Sequence, residues 1–307
     1  MKKIKTIFIV GPTASGKTDL SIYLAEKINA EIISADSMQI YKNIPIASAV
    51  PTMEEKRGIK HYLQEVLNPT EEFSVYEFCD ISKKLIKEIN EKNKVPMVVG
   101  GTGLYIDSLL NNIDFGPEND PNIRNELYKK AEENGILSLY EELKSIDFEF
   151  ANKISCNDKK RIIRALEIYY THNTTMSQKN ENSLKNEGFL NPLIIGINYE
   201  NRENLYNRIN LRVDIMAKNG LLEEAEKALK ENYSGAKQAI GHKELEPFIK
   251  GEISLSEALE NLKMQTRRYA KRQITWFKRN KDIHWVYPDI NKDYKNEALK
   301  LAEDFLK

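Results

Sequence analysis

The run Gly11–Thr18, GPTASGKT, constrains this chain more than any other stretch. It fits G-x-x-x-x-G-K-[ST] and stands between an apolar segment, IKTIFIV, and an amphipathic one, GKTDLSIYLAEKIN. A strand that runs into a glycine-rich turn and then a helix is the context in which such a loop works. The glycines let backbone N–H groups close around phosphate oxygens, and the helix N-terminus adds its positive end. Of Gly11, Pro12, Thr13, Ala14, Ser15, Gly16, Lys17 and Thr18, Lys17 supplies a point charge and the Thr18 hydroxyl is the expected ligand of Mg²⁺. The loop implies a polyphosphate. It does not say which one, or which bond breaks.

The rest of the first third continues the alternation. AEIISAD and VPMVVGG read as further strands, with helical stretches between them, which predicts an α/β fold with a parallel sheet covered by helices. FGPENDPN (Phe115 to Asn122) interrupts the pattern, and Asp120 followed by Pro121 is a helix-start signal. Helical periodicity and polar loops fill the chain to about 190. PLIIGINYE then returns to a buried strand, followed by long helices, a short strand in IHWVYP and a terminal helix. The expected organisation is a core formed by 1–116 and 191–307, with a mostly helical insertion over 117–190.

In nucleotide hydrolases with such a loop, a later apolar strand ends in an acid that helps to hold magnesium. Here the strand ends in Gly100, Gly101 and Thr102. The acid at the end of an early strand is Asp36, in EIISADSMQIY, and ligands of open α/β sheets gather at those strand ends. From position alone, Asp36 reads equally as a turn aspartate or as a site carboxylate. Thr102 reads equally as a site hydroxyl or as the cap of a following helix.

Two helices carry unusual faces. Arg208 and Arg212 are four apart and border an apolar stripe of Leu205, Ile209, Val213 and Met216, where a fork of donors suits a diphosphate. Pairing with Asp214 or Glu203 is the alternative. In LKMQTRRYAKRQITWFKRNK, the residues Lys263, Arg267, Arg268, Lys271, Arg272, Lys278, Arg279 and Lys281 project onto one half of a helix. Leu262, Tyr269, Trp276 and Phe277 occupy the other half, and no acid interrupts the stretch. One-signed charge opposite a packed stripe suits a nucleic-acid backbone. Gln273, within the apolar half, is either a buried hydrogen-bonding residue or one that reaches the crevice. A second basic cluster, KKRIIRALE, lies in the insertion.

Composition narrows the class. The 307 residues carry zero net charge, so any nucleic-acid affinity must come from these local patches. The two cysteines and four histidines match no zinc spacing. No apolar run is long enough for a membrane span, and the apolar part of MKKIKTIFIVGP is too short for a signal-peptide core, so a cytoplasmic protein is expected.

Taken together, GPTASGKT, ISADSMQIYKN, VVGGTGLY, DPNIR, NDKKRIIRALE, RINLRVDIM, QAIGHKE and TRRYAKRQITWF resemble, in order, the motifs of the tRNA dimethylallyltransferase family of bacterial type. The resemblance covers nearly the whole chain. It implies a P-loop kinase-like core, a helical insertion that clamps a tRNA anticodon stem-loop, and a loop that binds dimethylallyl diphosphate rather than ATP. By the same resemblance, Asp36 is the general base, and Thr102 and Arg124 matter for catalysis. Asp36, Ser37, Met38 and Gln39 are expected against the tRNA, as are Lys160, Arg161, Ile162, Ile163 and Arg164. So are Gln238, Ala239, Ile240, Gly241, His242 and Lys243, with Lys271, Arg272 and Gln273 from the basic helix. Arg208 and Arg212 are expected on the diphosphate, with Mg²⁺ as cofactor, no zinc, and a monomeric protein.

Departures from the family pattern are local. IASAVPT places Val50 where the family has a lysine, and KHYL and IGHKE also differ slightly. The zinc finger of eukaryotic relatives is absent from the sequence. The competing readings are a small-molecule kinase, a free-nucleotide prenyltransferase and a non-catalytic RNA-binding ATPase. The first two leave the basic helix without a task, and the third lacks its acid.

Overall fold

The computed structural model describes residues 3–113, 121–185, 188–236 and 239–307. Asp120 and the expected RNA contact Gln238 lie outside them. Contacts divide the chain into two compact units, one of residues 1–110 and 189–307, the other of residues 111–188.

The first unit is built on a parallel sheet of six strands: β1 (Ile4–Val10), β2 (Ala30–Ser34), β3 (His61–Tyr62), β4 (Val95–Gly100), β5 (Leu190–Ile197) and β6 (Ile283–Val286), in the order β3-β2-β4-β1-β5-β6. Ile7, Phe8, Ile9 and Val10 are fully buried, as expected of a central strand covered on both faces. β1 pairs with β4 on one side and β5 on the other, with Val10 opposite both Gly100 and Gly196. The chain winds outward from β1 toward β2 and returns to its other side at β5. That reversal opens a crevice at the C-terminal ends of β1, β2, β4 and β5.

Helices close the faces. Lys17–Ile28 packs Leu20, Ile22 and Leu24 against Ile7, Ile9, Ile32 and the terminal helix Tyr294–Leu306. Val75–Glu91 starts at Ser74, whose hydroxyl accepts the Glu77 N–H while the Glu77 carboxylate takes the Ser74 N–H, a reciprocal cap that fixes the first turn. At the sheet edge, the short helices Pro45–Ser48 and Met53–Lys56 precede β3.

The second unit is helical: Pro121–Asn134, Ile136–Ile146, Phe148–Ala151, Lys159–His172 and Met176–Lys185. Its own core gathers Leu127, Leu139, Leu143, Ile162, Ile163 and Leu166. Asp147 accepts from the Phe150 N–H and from both the N–H and hydroxyl of Ser177, which ties the last helix to the others. Part of the polar run after His172, Met176–Lys185, is helix.

Candidate active site

The phosphate loop turns from β1 into the helix Lys17–Ile28. Gly16, just before that helix, has φ +100°, a left-handed conformation that a side chain would strain. The loop lines a cavity of about 770 Å³ with Asp36, Gln39, Arg208, Arg212, Tyr269 and Gln273.

Gln273 holds the loop in place. It is 5% exposed; the Thr13 N–H donates to its Oε1 (2.8 Å), and its Nε2 donates to the Gly101 carbonyl (2.9 Å). One amide thus joins the phosphate loop to the turn after β4. Both sequence readings of Gln273 hold, because it is buried, fully bonded and at the crevice. The two glycines at the end of β4, Gly100 within it and Gly101 just after, are required by close approach. A Cβ on Gly100 would lie 2.1 Å from the Ala35 carbonyl oxygen, and one on Gly101 would lie 2.2 Å from Gln273 Nε2.

Three cations surround the loop. Lys17 Nζ donates to the Pro12 carbonyl (2.7 Å), Arg208 Nε to the Ala14 carbonyl (2.9 Å), and Arg212 to the Thr13 hydroxyl (3.1 Å). Burial pulls Lys17 down to about 8, with Asp36 opposing and Arg212 reinforcing the shift. Burial also lowers Arg212, again against the pull of Asp36. Removing the charges of Lys17 and Arg212 from water is unfavourable unless an anion joins them, so these two cations suit an anionic ligand, while Arg208 is exposed.

Asp36 follows β2. Its Oδ1 accepts the Met38 N–H (2.9 Å), the local bond of an aspartate turn. The carboxylate also lines the cavity and interacts electrostatically with Lys17, Arg212 and Tyr269. The turn bond thus leaves the carboxylate in the cavity. Thr102 differs: its hydroxyl accepts the Ser37 N–H (3.1 Å) rather than capping the next helix, while its carbonyl accepts from the Tyr105 and Ile106 N–H groups at the start of the helix Gly103–Leu110.

Tyr269 was read only as part of an apolar face. Its phenol bonds with Thr102 and Gln273, and burial, helped by Asp36, pushes its pKa up. The signal was its spacing: Tyr269 lies one turn before Gln273, so a buried polar Gln273 brings Tyr269 to the same cavity. Gln39 spends its side chain on structure. Its Oε1 accepts from Ser34 and Gln64, and its Nε2 donates to the Ser48 and Ala49 carbonyls (3.4 and 3.3 Å).

The basic helix spans Leu255–Phe277. Not all of its cations face solvent: Lys263 bridges Asp214 and Glu260, and Arg267 donates to Asn210. Acids absent from the stretch itself come from the preceding turn and a neighbouring helix. Arg268, Lys271, Arg272, Lys278, Arg279 and Lys281 remain exposed. Ala239 and His242 are buried, and Lys243 is exposed.

In the helical unit, Lys160 and Arg161 are exposed, whereas Ile162 and Ile163 belong to the core. Arg124 grips Glu167 with two hydrogen bonds (3.0 and 3.1 Å), and Arg164 adds a third (2.8 Å) to the same carboxylate, which is 1% exposed.

Among the described residues, no group of three or more His, Cys, Asp or Glu could hold a metal, and no helix is long and apolar enough to cross a membrane.

Residues 39–280 match the family model for IPP transferase. A tRNA dimethylallyltransferase of Caldanaerobacter subterraneus is 47% identical over 98% of this chain and 97% of its own length, and one of Acetivibrio thermocellus is 48% identical over 97% and 95%. The crystal structure of a tRNA isopentenylpyrophosphate transferase of Bacillus halodurans superposes with a TM-score of 0.74 at 37% identity, covering 99% of this chain and 97% of that one. A eukaryotic dimethylallyltransferase acting on tRNA superposes at 0.83 with 30% identity, over 99% of this chain and 79% of the other. A phosphate loop without a following acid, an aspartate beside it and a match along nearly the full length agree, and the chain belongs to the tRNA dimethylallyltransferase family.

Proposed function

We propose that the protein transfers a dimethylallyl group from dimethylallyl diphosphate to the exocyclic N6 amine of the adenine just 3′ of the anticodon in tRNA. The observation that carries this reading is the pairing of a polyphosphate loop, with no acid after β4, and a carboxylate at the end of β2 in the same cavity. Transfer to an amine needs no activated water. It needs a leaving group held and a proton removed.

The amine lone pair forms the new bond to the allylic carbon, the carbon–oxygen bond to diphosphate breaks, and the amine proton goes to Asp36. Negative charge grows on the leaving diphosphate, where Lys17, Arg208, Arg212 and the loop N–H groups stabilise it. Asp36 suits the base because its Oδ1 is fixed by Met38 while the carboxylate stays in the cavity. Tyr269 lines the same space and bonds with Thr102, and Thr102 and Arg124 of the helical unit are further proposed contributors.

The donors fit magnesium held mainly through its ligand. Thr18 is exposed and shares the cavity with Asp36, so one or two protein oxygens are present and diphosphate would supply others. Bound there, Mg²⁺ would neutralise charge on the departing diphosphate.

The exposed cations of the basic helix, and Lys160 and Arg161 of the insertion, suit RNA phosphates. An adenine within a stem-loop must leave its stack to react, and backbone contacts help to hold it there. Incubation with labelled dimethylallyl diphosphate and unmodified tRNA, AMP or ATP tests the reading. Label on tRNA alone is expected. Label on AMP, or release of phosphate from ATP without transfer, would overturn it.

A further inference from the structure

Glu224 has no part in the chemistry above, yet the residue is only 9% exposed and its carboxylate makes three hydrogen bonds. It accepts the Ile46 N–H (2.8 Å) and the Ala47 N–H (3.0 Å), two of the amides that the first turn of Pro45–Ser48 leaves unpaired. Its third partner is His242 Nε2 at 2.9 Å. A carboxylate only accepts, so Nε2 carries the proton here. His242 is 5% exposed, which makes the pair a built feature of the interior.

The segment held this way is a wall of the cavity. Pro45, Ile46, Ala49 and Val50 line it, and Leu211 and Ile215 line it from the helix Arg202–Lys218. Leu211 is 60% and Ile215 47% exposed, so this part of the cavity offers apolar surface that nothing in the unit covers. The wall has two anchors: Gln39 on the Ser48 and Ala49 carbonyls, and Glu224 on the amides before them.

We infer that Glu224, oriented by His242, is a positioning residue that sets the wall against which the allylic tail of the diphosphate substrate packs. This rests on the dimethylallyl reading of the site. The loop and its cations answer for the diphosphate, and the Ile46–Val50 wall answers for the hydrocarbon. Glu224→Gln is nearly isosteric but turns one acceptor into a donor, so one of its three partners is left facing an N–H group. His242→Leu removes the orienting donor and leaves both amide contacts, whereas His242→Gln can still donate.

Calorimetry with magnesium dimethylallyl diphosphate and, separately, magnesium diphosphate tests the inference. Circular dichroism monitors folding at the same temperature. The parent protein should bind the dimethylallyl ester more tightly than diphosphate alone. E224Q should lose about tenfold of that preference, as expected when one or two methyl contacts are lost, with diphosphate affinity unchanged. H242L should lose part of it and H242Q should restore it. A folded E224Q that keeps the parent's preference, or that loses affinity for both ligands equally, would overturn the role of Glu224. So would parent-like preference in H242L if E224Q does not fold. A parent protein with no preference would instead sink the dimethylallyl reading, and the inference with it.

Discussion

Replacing Gln273 with Met tests whether one amide holds the phosphate loop. The side chains are similar in length and volume, so no large cavity opens, but the amide's bonds to Thr13 and Gly101 go, and with them its bond to the Tyr269 phenol. The Thr13 N–H loses its 2.8 Å acceptor and the Gly101 carbonyl its 2.9 Å donor. Leaving a buried backbone group unpaired costs about 1–3 kcal/mol, and water entering from the cavity recovers part of it, so a net loss of about 2–4 kcal/mol is expected. Urea denaturation followed by circular dichroism measures it, and calorimetry with magnesium diphosphate reads the loop directly. Gly101→Ala attacks the same amide from the other side, because its Cβ would fall 2.2 Å from Gln273 Nε2. The two substitutions share one interaction, so the double variant should lose clearly less than the sum. A Q273M protein within about 0.5 kcal/mol of the parent, binding diphosphate equally well, would refute the bridging role, because changes of that size are ordinary for surface positions.

Burial pulls Lys17 down to about 8, so diphosphate binding should be well supported near neutral pH and weaken as pH rises through 8. At one unit above that value, affinity should have dropped about tenfold, and binding should take up a proton, measurable by calorimetry in buffers of different ionisation heat. Flat affinity across this range would mean that Lys17 does not meet the ligand as a cation. Lys271→Ala with Arg272→Ala should weaken tRNA binding and lower the slope of log affinity against log salt by about 1–2. Unchanged affinity and slope in filter binding would remove this helix from the RNA surface.

Much of the core was legible because its signals are local. The strand–loop–helix order, the buried run of β1 and the missing acid after β4 are carried by adjacent residues. Asp36 and Thr102 stand at strand ends, where the sequence points to them; Asp36 makes its turn bond and still lines the cavity, whereas the Thr102 hydroxyl turns to Ser37. What escaped depends on contacts distant in sequence. β3 is only two residues, His61 and Tyr62, and exists because Ile32 and Ile33 pair with it. Lys263 and Arg267 projected onto a charged face but found partners on neighbouring elements. Glu224 reads in sequence as one of several acids on an amphipathic helix, and only packing against Pro45–Ser48 takes it out of solvent.

The central claim is that Asp36 takes the proton from the accepting amine while the loop holds the leaving diphosphate. Asp36→Asn tests it most directly, because the amide keeps the size of the side chain and the oxygen that accepts from Met38. Single-turnover transfer with tRNA and dimethylallyl diphosphate both saturating isolates the chemical step. That step should slow by roughly 10²–10⁴-fold, with both substrates bound nearly as tightly as before. A transfer rate close to the parent's, or a defect that vanishes once tRNA is raised to saturation, would contradict Asp36 as the base.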